Sequence, residues 1–135
     1  MTLFENLGNH KDSGLLIIRI GLGIMFIYHG YPLLIDGVKT WETLGHATNY
    51  LGIHFLPAFW GFMCVAVETL GSVLLIIGLG FRPVCLLMLI NLIVAVVYHL
   101  GKGDGLLIAS HAIEDAIMFA GLLFIGPGKY SLDKK

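Results

Sequence analysis

The chain predicts an all-α fold, an integral membrane four-helix bundle, and three observations carry that prediction. Hydrophobic residues make up 57 % of its 135 residues and charged residues 13 %, with a mean hydropathy of +0.87, a composition of the membrane class. Four apolar segments, residues 14–35, 56–79, 83–100 and 106–125, are each long enough to cross a hydrocarbon core at about 1.5 Å per residue. Glycine and proline clusters separate them. By length, residues 1–135 form a single membrane domain.

Residues 1–13 are polar and predict a short interfacial or disordered lead. The first segment, Gly14–Ile35, is too long for a signal-peptide core, contains Arg19 and is followed by no small-x-small cleavage site, so it reads as a retained span. In the loop Asp36–Phe55, Trp41, Leu44, Leu51 and Phe55 recur at near-helical spacing, with Glu42, His46 and Asn49 between them. This pattern predicts a short amphipathic helix on the outer surface, or a lid over the bundle, before Pro57 opens the second span. Gly78, Gly80 and Pro83 predict a tight turn between spans two and three, and Gly101, Gly103 and Gly105 another between spans three and four. Gly126-Pro127-Gly128 stops the fourth helix. Ala112, Ala116 and Ala120, the pair Gly23 and Gly30, and the pair Gly71 and Gly78 are spaced to let neighbouring backbones approach.

Basic residues set the expected orientation. Lys11, Arg82, Lys129, Lys134 and Lys135 fall on one side of a four-span bundle, and only Lys39 and Lys102 on the other. The positive-inside rule then puts both termini in the cytoplasm. A net charge of −1 and the lack of a basic stripe exclude a nucleic-acid partner; membrane lipids are the expected surroundings. Cys64 and Cys85 differ in depth by about 20 Å, too far for a disulfide, and read as apolar packing residues.

The fourth segment carries the clearest functional signal. Leu106–Ile125 is apolar except for Ser110, His111, Glu114 and Asp115. An acidic group at the centre of a span costs about 2.5–3.5 kcal/mol, against a return of about 0.3–0.6 from a large apolar residue. Two adjacent carboxyls therefore demand partners or a hydrated site. His111 and Glu114 are spaced i, i+3 and His111 and Asp115 i, i+4, which sets all three on one helix face. That face suits a metal, a proton relay, or a pocket in which imidazole and carboxyl hydrogen-bond quinone oxygens. His29 and His99, in the outer halves of spans one and three, are the candidates to complete a cofactor site with His111. A haem between two of these histidines would need more room than the bundle has. Arg19 and Glu68 predict a structural ion pair between spans one and two, and Asn91 an interhelical hydrogen bond.

Several of these pieces together resemble the DoxX family of small four-helix membrane proteins. They are Arg19-Ile-Gly-Leu-Gly, His29-Gly30-Tyr31, Glu68-Thr-Leu-Gly71, Gly78 through Arg82-Pro83, His99 before its glycines, Glu114, and Gly126-Pro-Gly-Lys-Tyr-Ser-Leu-Asp133. The resemblance covers residues 14–133. It implies a multi-pass protein of the bacterial inner membrane. The family takes its name from a subunit of a thiosulfate:quinone oxidoreductase, which raises the expectation of quinone-linked redox chemistry. On that expectation His111, Glu114 and Asp115 would act on the substrate, a quinone is the suspected cofactor with a metal also compatible, and a soluble redox protein would be the partner. The alternative is a non-enzymatic anchor or assembly partner for soluble redox or metal-handling proteins. A carrier would need an oligomer, because four helices enclose little space, and no paired helix breaks are present. Fold resemblance alone does not fix the chemistry.

Overall fold

Backbone amides in a hydrocarbon phase have no water to bond, so each apolar segment closes its own ladder as a helix. The computed structural model describes residues 2–133. Its helices are α1 (Leu3–Leu7), α2 (Lys11–Asp36), α3 (Val38–Gly45), α4 (Pro57–Ile77), α5 (Phe81–Lys102) and α6 (Leu106–Ile125), with a 3-10 turn at His46–Leu51. No strand occurs among the described residues. Helices α2, α4, α5 and α6 are long and apolar enough to cross a membrane. Lys134 and Lys135, counted in the charge argument, lie outside the described residues.

The polar lead is helical rather than disordered. Thr2 Oγ1 accepts a hydrogen bond from the Glu5 amide at 3.2 Å, and Glu5 Oε2 accepts from the Thr2 amide at 2.6 Å. This reciprocal pair satisfies two amides that the first turn leaves without partners.

In the bundle α2 packs on α4, α4 on α5, and α5 on α6. Leu75, Phe81, Cys85, Met88, Phe119 and Leu122 form the heart of the core. Gly23 lies against Ser72 and Ile76, and Gly30 against Glu68 and Thr69, so α2 reaches α4 through its glycines. Ala112 and Ala116 turn inward onto the core. Gly78 has a different role from the one its spacing suggests: it ends α4 at φ 73° with Ser131 packed on it. Both cysteines are free. Helices α2 and α6 touch through the rings of Phe26 and Phe119, whose centroids are 5.6 Å apart edge to face. Elsewhere an apolar cleft of about 300 Å³ separates them, lined by residues that include Leu15, Ile18, Ile117, Met118 and Leu122.

The loop between α2 and α4 is built, not loose. A Cβ on Gly45 would overlap the backbone of Pro57, and one on Gly61 would overlap that of Trp41. These two contacts run α3 antiparallel to the start of α4, backbone against backbone, rather than flat over the bundle. Trp41 Nε1 donates to the Leu33 carbonyl at 3.2 Å, satisfying one of the last carbonyls of α2. Tyr50 from the 3-10 turn sits on Gly101, with its ring 5.7 Å from that of Tyr98.

At the opposite end the segment after α6 folds back across the helix ends as a strap. The Leu132 amide donates to the Ile77 carbonyl at 3.1 Å and the Asp133 amide to the Gly78 carbonyl at 2.9 Å. The Asp133 carboxylate accepts from the amides of Gly80 and Phe81, both at 2.8 Å, and so caps α5. Arg82 Nε donates to the Leu123 carbonyl at 3.0 Å, at the end of α6. The Lys129 amide donates to Asp12 Oδ1 at 3.0 Å, which fixes the strap to the start of α2. Lys11, Arg82 and Lys129 therefore share this end of the bundle.

Candidate functional site

The expected ion pair between Arg19 and Glu68 is not formed. Arg19 is 1 % exposed and gives its guanidinium wholly to backbone carbonyls. Nε donates to Leu75 at 3.0 Å, Nη2 to Ile76 at 2.6 Å, and Nη1 to Pro127 at 3.1 Å and Tyr130 at 2.7 Å. The reason is depth. Arg19 is level with the last turn of α4, whereas Glu68 is level with Gly30, about 16 Å further along α2. The arginine thus satisfies the terminal carbonyls of α4 and ties the strap to them.

Glu68 has its own partner in Asn91. The Asn91 amide nitrogen lies 3.4 Å from Glu68 Oε1 and 3.4 Å from the Cys64 carbonyl, the interhelical bond that a lone asparagine in a span predicts. Beside them Thr69 is 7 % exposed, and its buried hydroxyl has no hydrogen-bond partner among the described residues.

The cluster expected from His29, His99, His111, Glu114 and Asp115 divides in two. Asp115, half-buried on α6, lies in the electrostatic field of Glu114 and His111 on its own helix and of His29 on α2. His29, His111 and Glu114 are exposed on the flank of the bundle. The site is therefore a flank site rather than a sealed internal one. One turn below, the buried rings of Phe26 and Phe119 join the two helices on their core side. His99 does not join this group. Its Nδ1 lies 2.8 Å from Asp104 Oδ2, with Lys102 Nζ 3.7 Å from the same oxygen. The hydrogen bond with His99, helped by the charge of Lys102, holds the Asp104 carboxyl below the usual carboxylate range.

Glu114 also lines the upper part of the α2–α6 cleft, whose remaining walls are apolar. One carboxyl, that of Glu114, thus stands at the head of a slot whose apolar walls suit a hydrocarbon chain. Such a setting can hydrogen-bond and exchange protons with the polar end of an amphiphile. Among the described residues no three His, Cys, Asp or Glu side chains come together as a metal-holding group, and His99 is committed to Asp104. Ser110 Oγ donates to the Leu107 carbonyl at 2.6 Å and is turned away from nucleophilic use.

Residue spacing did not reveal Asp104, Arg82 or Asp133 as partners. Asp133 had a readable signal, an acid shortly after a Gly-Pro-Gly stop. Thr2 and Glu5 had another, the T-x-x-E spacing of a capping box.

The family model described as DoxX matches residues 14–101. A protein of Bacillus subtilis (strain 168) named "Putative oxidoreductase CatD" is 30 % identical over 86 residues, covering 64 % of this chain and 59 % of that protein. The chain thus spans less than two thirds of the length of this relative. No solved structure matches the chain.

Proposed function

This chain belongs to the DoxX family, and on that premise we propose that it is a quinone-linked redox component of the bacterial inner membrane. The quinone's hydrocarbon tail lies in the α2–α6 cleft and its head meets Glu114 and His111, with His29 and Asp115 beside them. The observation that carries this reading is the cleft itself, apolar along its length and headed by Glu114. The name of the Bacillus subtilis relative adds oxidoreductase chemistry to the reading.

Reduction of a quinone takes up two electrons and two protons. In this reading a soluble redox partner supplies the electrons, and Glu114 and His111 pass protons to the two ring oxygens. Asp115 adds negative charge beside the two imidazoles. Lys11, Arg82 and Lys129, gathered at one end of the bundle, support an orientation with both termini in the cytoplasm and the quinone head in the outer half.

The test is quinone binding by purified protein in lipid nanodiscs, read by quenching of tryptophan fluorescence with ubiquinone and menaquinone analogues. A hydrogen bond to a charged group contributes about 1.5–3 kcal/mol. Glu114→Gln and His111→Ala should therefore each weaken binding by roughly ten- to a hundredfold, with helicity unchanged. No binding, or binding that both variants leave intact, overturns the proposal.

A second reading, a non-enzymatic anchor for soluble redox or metal-handling proteins, is favoured by the built outer end, where α3 and the 3-10 turn are packed on α4 and α5. Partner binding that survives Glu114→Gln and His111→Ala but is lost when α3 is displaced would select it.

A further inference from the structure

Three ionisable side chains at membrane depth face away from the core of their own bundle. His29, His111 and Glu114 are exposed, and among the described residues none of them forms a side-chain hydrogen bond or ion pair. Glu114 lies about 12 Å below the outer end of α6 and His29 about 10 Å below that of α2. A carboxyl on so short a stem cannot snorkel that distance as lysine and arginine do. Lipid tails offer it neither a hydrogen bond nor a countercharge. Polar groups in this position face another protein surface or a watery cavity.

We propose that this flank, formed by α2 and α6, is the interface with a second copy of the same chain. Charge complementarity identifies the occupant. The flank carries imidazoles and carboxyls at nearly the same depth, so it is complementary to itself. A two-fold axis along the membrane normal keeps every group at its own level. It therefore brings Glu114 of one copy to His29 or His111 of the other. Neither Gly21 nor Gly121 has any atom within 4 Å of the position a Cβ would take, which leaves room for a helix to approach closely. The second copy also walls the open side of the α2–α6 cleft. For whatever that cleft holds, the inference rests on the quinone reading; for the pairing of chains it does not.

The experiment uses full-length protein in liposomes at graded protein-to-lipid ratios, with association read by energy transfer between two fluorophore-labelled populations. Ile117→Cys, on this flank and 68 % exposed, is tested for oxidative cross-linking. Leu70→Cys, on α4 and 62 % exposed, serves as the control position. The expected results are a dimer cross-linked through position 117 and not through position 70, and association weakened at least tenfold by Glu114→Gln. His29→Ala combined with His111→Ala should weaken it similarly, with helicity retained in all variants. A monomer at every dilution, equal cross-linking from both positions, or association indifferent to these substitutions overturns the proposal. Quinone binding is measured on the same liposomes. A monomer that binds quinone refutes the dimer alone, and a dimer that binds none refutes the quinone reading alone.

Discussion

Replacing Arg19 with alanine should destabilise the protein more than any other single loss of a polar side chain. Its guanidinium donates to four carbonyls at 2.6–3.1 Å, two in the last turn of α4 and two in the strap. Hydrogen bonds from a charged donor contribute about 1.5–3 kcal/mol each, so four independent ones would give about 6 kcal/mol at the low end. Two effects reduce that figure. Removing the guanidinium also removes the cost of burying it, and strap carbonyls freed from their clamp recover water. A net loss of about 3–5 kcal/mol remains, a large part of the 5–15 kcal/mol that holds a typical domain together.

The assay is reversible unfolding in detergent micelles followed by circular dichroism, with hydrogen exchange over residues 126–133 as a local readout. Arg19→Lys separates charge from shape. It keeps the positive charge, but an ammonium is a compact point donor and cannot span carbonyls from two chain segments as the guanidinium fork does. It should recover less than half of the loss. Full stability of Arg19→Lys, or an alanine loss no greater than the ~0.5 kcal/mol of a surface substitution, would refute the carbonyl clamp. So would a coupling above about 1 kcal/mol between Arg19→Ala and Glu68→Gln, because contacts of that strength require neighbours.

Two other predictions concern the end of the bundle that carries α3. Gly61→Ala forces a methyl into the backbone of Trp41. It should push α3 off α4 at a cost of about 1–3 kcal/mol, seen as faster hydrogen exchange over residues 38–45, and unchanged exchange there would contradict the packing described. The Asp104 carboxyl should titrate below the ordinary aspartate value of about 3.9, because His99 hydrogen-bonds its charged form. A depressed folded-state value adds stability above the ordinary value and loses it as pH falls through the depressed one. Carboxyl NMR should therefore show the Asp104 midpoint rising in His99→Ala, and an unmoved midpoint would rule out the pairing.

The helices were legible because lipid leaves the backbone few options and glycine and proline mark where each ladder stops. The amphipathic segment around Trp41 was legible as a helix, but its place was not, since the glycines that seat it against α4 reveal their partners only in three dimensions. At the candidate site, the spacing of His111, Glu114 and Asp115 correctly put them on one helix. It could not give the rotation of α6, which turns Ala112 and Ala116 inward and leaves His111 and Glu114 on the flank. Arg19 shows a different gap between residue chemistry and structure. A buried arginine suggests a buried acid, yet a helix terminus carries unpaired carbonyls that serve equally well as acceptors. Composition does not record where those carbonyls lie.

The strap also orders events during synthesis. Arg19 is made early, and its acceptors at Pro127 and Tyr130 follow 108 and 111 residues later. At about 5–20 residues per second, that arginine waits roughly 5–20 s for half of its partners. During this interval α4 can supply only its own two carbonyls, and the guanidinium stays incompletely satisfied at the membrane edge. A ribosome that stops before the strap therefore leaves a bundle in which Arg19 has only the two carbonyls of α4 as acceptors.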